Sequence, residues 1–375
     1  MRIPEFALER FFARYEFTTP YILCSSDVQG MAMRDLLALA NPATQELWHN
    51  LELGYTETSG LPALRAAIAA LYVGIDADDV ITFSGAEEAV FVAANVLLGP
   101  GDHFVTTWPG YQSLYEVGRA CGAEATLIEL RPEHEWRLDV AAIMQAVRPN
   151  TKMILINTPH NPTGATVGID EWHELLAFAD AHNIVLFADE VYRLLEYNPQ
   201  DRLPAACEVS RQALSLGVMS KAFGLAGLRI GWLVVRQPEL RHRLLAYKDY
   251  TTICNSAPSE ILALIALQSA QRVLSRSRHI VLRNLQLFHE VCAQHAEVLS
   301  MVAPRAGSVA FARLELGRPI REVAHVLAEA HGVLILPASV YGYAGNYFRV
   351  GFGKANFADG LTRLDAFLRA ETRRG

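Results

Sequence analysis

Seven short apolar runs recur through the middle of the chain: DDVITFS (78–84), HFVTTW (103–108), EATLIEL (124–130), KMILINTP (152–159), NIVLFADE (183–190), ALSLGVM (213–219) and RIGWLVV (229–235). Many are continuously apolar rather than alternating, the pattern of strands covered by helices on both faces. Stretches of helical period such as IDEWHELLAFADAH (169–182) lie between several of them. This alternation predicts an α/β fold with a mostly parallel, buried central sheet. From about residue 258 the texture changes to longer helices, PSEILALIALQSA and SRHIVLRNLQLFHEVCAQH, followed by GSVAFARLEL, a helix, a short YFRVGFG strand and a last helix. That part reads as a smaller α+β domain. The expected division is an N-terminal segment, 1–45, packing with the small domain, a large domain, 46–275, and a small domain, 276–375.

The totals narrow the class of partner. With 375 residues, 51% of them hydrophobic, and a formal net charge of -7, the chain is expected to be a soluble globular protein. No run of clustered Lys and Arg offers a footprint for nucleic acid or an anionic membrane, so a small molecule is the expected partner. The start, MRIPEFALERFFARYEF, is broken by charges and lacks a secretory pattern, and no stretch is long enough to span a bilayer. Cys24, Cys121, Cys207, Cys254 and Cys292 are scattered without a CxxC pair, which argues against disulfides or a zinc cage and for a reducing cytoplasm. No metal site is expected.

In open parallel sheets ligands sit beyond the carboxyl ends of the strands, so the residues there carry the candidate chemistry. TFSGAEEAV ends a strand at Ser84 and starts a helix around Gly85 and Ala86, whose amides would face an anion. The same residues also permit a capping box between Ser84 and Glu87. NTPHNPTG holds Asn161 in a stiff, proline-flanked segment, where an Asx turn is the plainer reading. LFADEVYR ends an apolar run with Asp189, a carboxylate that needs a partner or a shifted pKa, or else caps a helix; Tyr192 follows within reach. SKAFGLAGLRIGW carries Lys221 and Arg229 with little acid nearby in sequence. An amine for an imine, a buried acid for a ring nitrogen, donors for a phenolate and a cradle for a phosphate are the set that pyridoxal phosphate requires. Lys221 would form the Schiff base and then move the α-proton.

With LGYTETSGLPALR, SGAEEAV, PGYQSLY, NTPHNPTG, ADEVYR, SKAFGLAGLRIGW and FRVGFG in order along nearly its whole length, the chain resembles a fold-type I pyridoxal-phosphate-dependent enzyme of the class I/II aminotransferase family. The resemblance implies that Tyr111 stacks on the cofactor ring and that Asn161 and Tyr192 bond its phenolic oxygen. It further implies that Gly85, Ala86, Ser220 and Arg229 hold the phosphate, and that Arg349 takes the substrate α-carboxylate. Tyr55 would reach the phosphate of a neighbouring subunit, which implies a homodimer with shared sites. Val218 stands where many relatives have a phosphate-binding hydroxyl, and no second arginine is evident for a distal substrate carboxylate. The implied reaction is transamination between an L-amino acid and a 2-oxo acid. The same carbanion chemistry serves β- or γ-elimination, or a cyclisation, and KDYTTICNSAPSE (248–260) resembles a stretch in a subgroup that includes capreomycidine-synthase-type cyclases. Regulators on this fold carry an N-terminal DNA-binding domain, for which no basic helix-turn-helix pattern precedes the first motif.

Overall fold

The computed structural model describes residues 2–373. A two-residue strand β1 (Tyr21–Ile22) precedes the large sheet, whose strands are β2 (Val80–Phe83), β3 (His103–Trp108), β4 (Glu124–Glu129), β5 (Thr151–Asn157), β6 (Val185–Asp189), β7 (Leu214–Val218) and β8 (Gly231–Val235). Each of the seven apolar runs supplies one strand, and their spatial order is β2-β8-β7-β6-β5-β3-β4. Only β8 runs against the others.

The continuous apolar runs follow from burial on both faces. Along β5, Met153 and Leu155 join one core, while Ile154 and Ile156 point into a second beneath helix Ile169–Ala181 with Trp172, Leu175 and Leu176. On β6, Phe187 faces the first core and Leu186 and Ala188 the second. Side chains of a strand alternate between faces, so a strand wet on one side would alternate in polarity too. Burial of each large aliphatic side chain contributes about 1.5–3 kcal/mol. The edge strand β4, with Glu124 and Glu129 exposed, shows the weaker pattern that an edge allows.

Strands β9 (Leu299–Met301), β10 (Val309–Leu314), β12 (Leu336–Pro337) and β13 (Tyr347–Gly351) form an antiparallel sheet ordered β12-β13-β10-β9. Strand β11 (Val333–Leu334) pairs in parallel with β1, which ties the start of the chain to its last quarter. Helix Ala7–Tyr15 buries Leu8, Phe11, Phe12 and Tyr15, and the Tyr15 hydroxyl lies 2.6 Å from His325 Nδ1 and 3.0 Å from Glu329 Oε1. Helix Ala270–Gln294 runs unbroken through the expected 275/276 boundary between the large and small domains. Among the described residues no helix is long and apolar enough to cross a membrane, and no group of His, Cys, Asp or Glu is arranged to hold a metal ion.

Candidate active site

Strands β3, β5, β6 and β7 are parallel, so their carboxyl ends share one edge of the sheet. Asn157 closes β5 directly beside Asp189, which closes β6. Because β8 is antiparallel, its amino end lies at that same edge, with Gly231 opposite both Phe83 and Val218. Arg229, two residues before β8, is thereby delivered beside residues that follow the other strands. A cavity of about 530 Å³ opens here. Ala86, Tyr111, Asn161 and Asp189 line it, as do Tyr192, Ser220, Lys221 and Arg229. Ser84, Gly85, Tyr55 and Arg349 are not on its wall.

Lys221 is the one of the chain's four lysines that lines this cavity. Lys152 is exposed, Lys248 is bonded to Thr58 O and Asn255 Oδ1, and Lys354 is ion-paired with Asp27. Lys221 Nζ donates to Ser26 Oγ at 2.8 Å and lies 5.8 Å from the centre of the Tyr192 ring. Burial pushes its ammonium down to about 8, with Arg349 adding to the effect and Asp27 and Asp189 opposing it. Such an amine is readily available as a nucleophile or base. Asp189 is buried, and burial pushes its carboxyl up to about 7 against a backbone bond from Val191 and the charge of Lys221. It forms no ion pair closer than 4 Å among the described residues. A cationic nitrogen placed beside it would restore its ionised form.

The anion-binding end is narrower than the sequence suggests. Gly85 adopts φ +88°, and a Cβ there would sit 2.4 Å from Arg229 Nη2. A Cβ on Gly231 would come within 2.6 Å of the Gly85 carbonyl carbon, so two missing side chains let the guanidinium and the loop close together. Within the chain the Gly85 amide donates to Phe83 O at 2.8 Å. The Ser84 amide is also taken, by Glu88 Oε2 at 2.5 Å, so the capping carboxylate is Glu88 rather than Glu87. Anion donors on this wall therefore begin with the first turn of helix Ala86–Leu97, joined by Ser220 and Arg229. Val218 lines the cavity without a donor, and Ser220 is the nearby hydroxyl.

Tyr192, also on the wall, is 1% exposed, and its hydroxyl makes no well-formed hydrogen bond within the protein, with Ser26 its polar neighbour. Such a group in a cavity wall is suited to bond a ligand oxygen. Arg349 is buried beneath the wall, donating from Nε to Cys24 O at 3.0 Å and from Nη1 to Asn161 Oδ1 at 3.2 Å and the Tyr341 oxygen at 3.0 Å. Asn161 is thus held by Arg349, while its amide N–H donates to Asn157 Oδ1 at 2.7 Å. Tyr111 packs on Phe6 at 5.1 Å between ring centres and reaches Glu9 Oε1 at 3.4 Å. Tyr55 lies on the surface, 89% exposed.

Several wall residues carry no sequence signal of their own: Phe6, Glu9, Glu16 and Asp27 from the N-terminal segment, and Ser113, while Glu87 was expected only as a helix cap. Pairing of β1 with β11 brings the first four into place, a contact between segments about three hundred residues apart that local pattern cannot show. Residues 248–260, the cyclase-like stretch, do not line the cavity. They brace the Tyr55 region instead, with Asn255 O accepting from Thr56 Oγ1 and Glu260 from the Leu61 amide.

The sequence model of the family described as aminotransferase class I and II matches residues 20–361. The chain belongs to that family. It is a pyridoxal-phosphate-dependent aminotransferase of fold type I, and the buried acid, the unpartnered tyrosine hydroxyl, the glycine-lined arginine and the single cavity lysine fit that cofactor. Among solved structures, a PLP-dependent aminotransferase from Streptococcus suis superposes with a TM-score of 0.93 at 30% identity, covering 99% of each chain. Among curated relatives, capreomycidine synthase of Streptomyces vinaceus is 31% identical over 93% of this chain and 90% of its own. An arginine–pyruvate transaminase of Pseudomonas aeruginosa is 27% identical over 79% of this chain and 77% of its own.

Proposed function

We propose that this aminotransferase moves the amino group of an L-amino acid to a 2-oxo acid, with Lys221 as its catalytic base. The observation that carries the reading is the placement of Lys221 and Asp189 on the walls of one cavity, with no other lysine there. When bound, pyridoxal phosphate supplies the electron sink that acidifies the substrate Cα–H. Asp189 would hold its ring nitrogen in the protonated state, and Tyr192 and Asn161 its phenolic oxygen. The amides from Ala86 onward, Ser220 and Arg229 would hold its phosphate, and Tyr111 its ring face. Lys221 takes the α-proton and delivers it one position along, and Arg349 orients the substrate through its α-carboxylate. With Arg349 bonded to Asn161, carboxylate binding and the phenolate contact are mechanically linked.

A second reading, cyclisation of a modified amino acid, is favoured by the likeness to capreomycidine synthase. The reactions are separated by the half-reaction. Under transamination an amino acid alone converts the visible-edge absorption to the shorter-wavelength amine form, and a 2-oxo acid restores it. A cyclic product, or pyruvate and ammonia, formed without that interconversion would overturn the proposal in favour of cyclisation or elimination.

We also infer a cytoplasmic homodimer in which Tyr55 serves the partner's phosphate, with the division into 1–45, 46–275 and 276–375 as the folding plan. Support comes from the surface: Leu53, Tyr55 and Tyr250 are 85%, 89% and 90% exposed, and the 248–260 stretch that carries Tyr250 bonds to the Tyr55 segment through Asn255 and Thr56. Sedimentation should find a dimer, and Tyr55→Phe should weaken cofactor binding by about tenfold, the worth of one hydrogen bond to a charged group. A monomer with unaltered cofactor affinity in the variant would sink the shared site.

A further inference from the structure

We propose that the cavity selects an L-amino acid whose side chain ends in a cation, held by Glu9 and Glu16 of the N-terminal helix. This rests on the reading above, in which Arg349 takes the α-carboxylate.

Glu9 and Glu16 are seven residues apart, two helical turns, and so share a face of helix Ala7–Tyr15, which Glu16 caps. Phe12, between them on that face, has its ring 5.8 Å from the Arg349 guanidinium carbon. The two carboxylates therefore flank the point where the helix meets the carboxylate-binding arginine, and both line the cavity. Their neighbours have cations of their own: Arg14 pairs with Glu329 at 3.0 Å and Asp27 with Lys354 at 2.9 Å. Glu9 and Glu16 have no ion pair among the described residues, and the one side-chain bond to either is the 3.4 Å contact from Tyr111 to Glu9.

Glu9 is exposed and Glu16 half-buried, and both stand on the wall of the cavity that also holds Lys221 and the buried Asp189. The buried, unpartnered Tyr192 hydroxyl belongs to the same cavity, which marks it as built to receive a ligand. The cavity cations are already committed, Lys221 to the chemistry and Arg229 to the phosphate, and among the described residues no other arginine or lysine lines the wall. The ionisable groups left for the substrate side chain are acids, Glu9, Glu16, the paired Asp27, and Glu87, whose carboxyl burial pushes up to about 7; apolar Phe6, Val90 and Leu114 share the wall. Crowding among them raises the Glu16 carboxyl through burial and the charges of Asp27 and Glu9, a cost that an incoming cation relieves. A distal carboxylate would meet repulsion, so the wall rejects acidic donors as well as attracting basic ones.

The test compares L-arginine with L-citrulline, its neutral near-isostere, on the holoenzyme. The expected kcat/KM ratio is at least about tenfold in favour of arginine, as for a close charge pair. Glu9→Gln and Glu16→Gln should each lower that ratio by about threefold or more, with the larger loss on arginine. Binding is read separately by calorimetry with 5-guanidinopentanoate and 5-ureidopentanoate, which lack an α-amine and cannot react; the first should bind at least about tenfold more tightly. Equal use of arginine and citrulline, equal binding of the two acids, or variants that slow both amino acids alike would overturn the selection by charge. If no amino acid at all changes the absorption, it is the transamination reading that fails instead.

Discussion

A Lys221→Ala protein should retain its fold, lose the visible-edge absorption of the internal imine, and transaminate at least about 10⁴-fold more slowly, the upper range for a positioned acid–base group. The size of the effect follows from the absence of a substitute. No second lysine lines the cavity, and the closest acids, Asp27 and Asp189, are committed to Lys354 and to the ring-nitrogen position. Truncation also removes the donor to Ser26 and a charge desolvated by its surroundings, so the variant should be no less stable than the parent. Thermal unfolding checks the fold, absorption checks the imine, and stopped-flow mixing with substrate checks turnover. A variant that keeps more than about a hundredth of the parent rate would place the base elsewhere.

Asp189→Asn should have opposite effects on catalysis and on stability. The amide cannot compensate a protonated ring nitrogen, so α-proton exchange should slow by about 10²-fold or more and cofactor affinity should fall. In cofactor-free protein the same change should stabilise. The Asp189 carboxyl is raised from its ordinary 3.8 to about 7, so between those values the folded chain holds a proton that the unfolded chain has released. Its contribution to stability is greatest below 3.8, declines as pH rises, and by pH 8 has become the full cost of a buried anion. That cost is at most about 4 kcal/mol. Melting temperatures of the cofactor-free parent and variant should therefore diverge as pH rises from 5 to 8, with the variant higher. Equal melting temperatures at pH 8 and unaltered proton exchange would mean that Asp189 faces something other than the ring.

Much of this was legible in the sequence, for reasons that particular residues make clear. The inner strands of the large sheet were readable because burial on both faces makes runs such as MILI within KMILINTP continuously apolar, and one residue of slip does not blur such a run; the edge strand β4 showed the weaker pattern. The strand order was not readable. It depends on pairing between distant segments, and with it went the antiparallel sense of β8, which explains why Arg229 faces the same cavity as Lys221. Asp189 was identifiable because a carboxylate closing the run IVLF is anomalous without a partner. Glu9, Glu16 and Asp27 were not, since an acid near the start of the chain looks like any solvated acid until β1 pairs with β11. The apparent shortage of acid around Lys221 was a property of the linear neighbourhood alone; in space Asp27, Asp189 and Glu9 all act on it. At the phosphate end the sequence could not show which amides the turn itself uses. The turn that positions Ser84 and Gly85 consumes their own N–H groups.

The most direct test of the central claim is to reduce the purified protein with borohydride and locate the pyridoxyl phosphate adduct by peptide mass spectrometry. With four lysines in the chain the assignment is unambiguous. The expected result is a single adduct on Lys221, abolished when the protein is first treated with excess amino donor. An adduct on Lys152, Lys248 or Lys354, or none on a protein whose visible-edge band was present before reduction, would contradict the assignment of this cavity as the cofactor site.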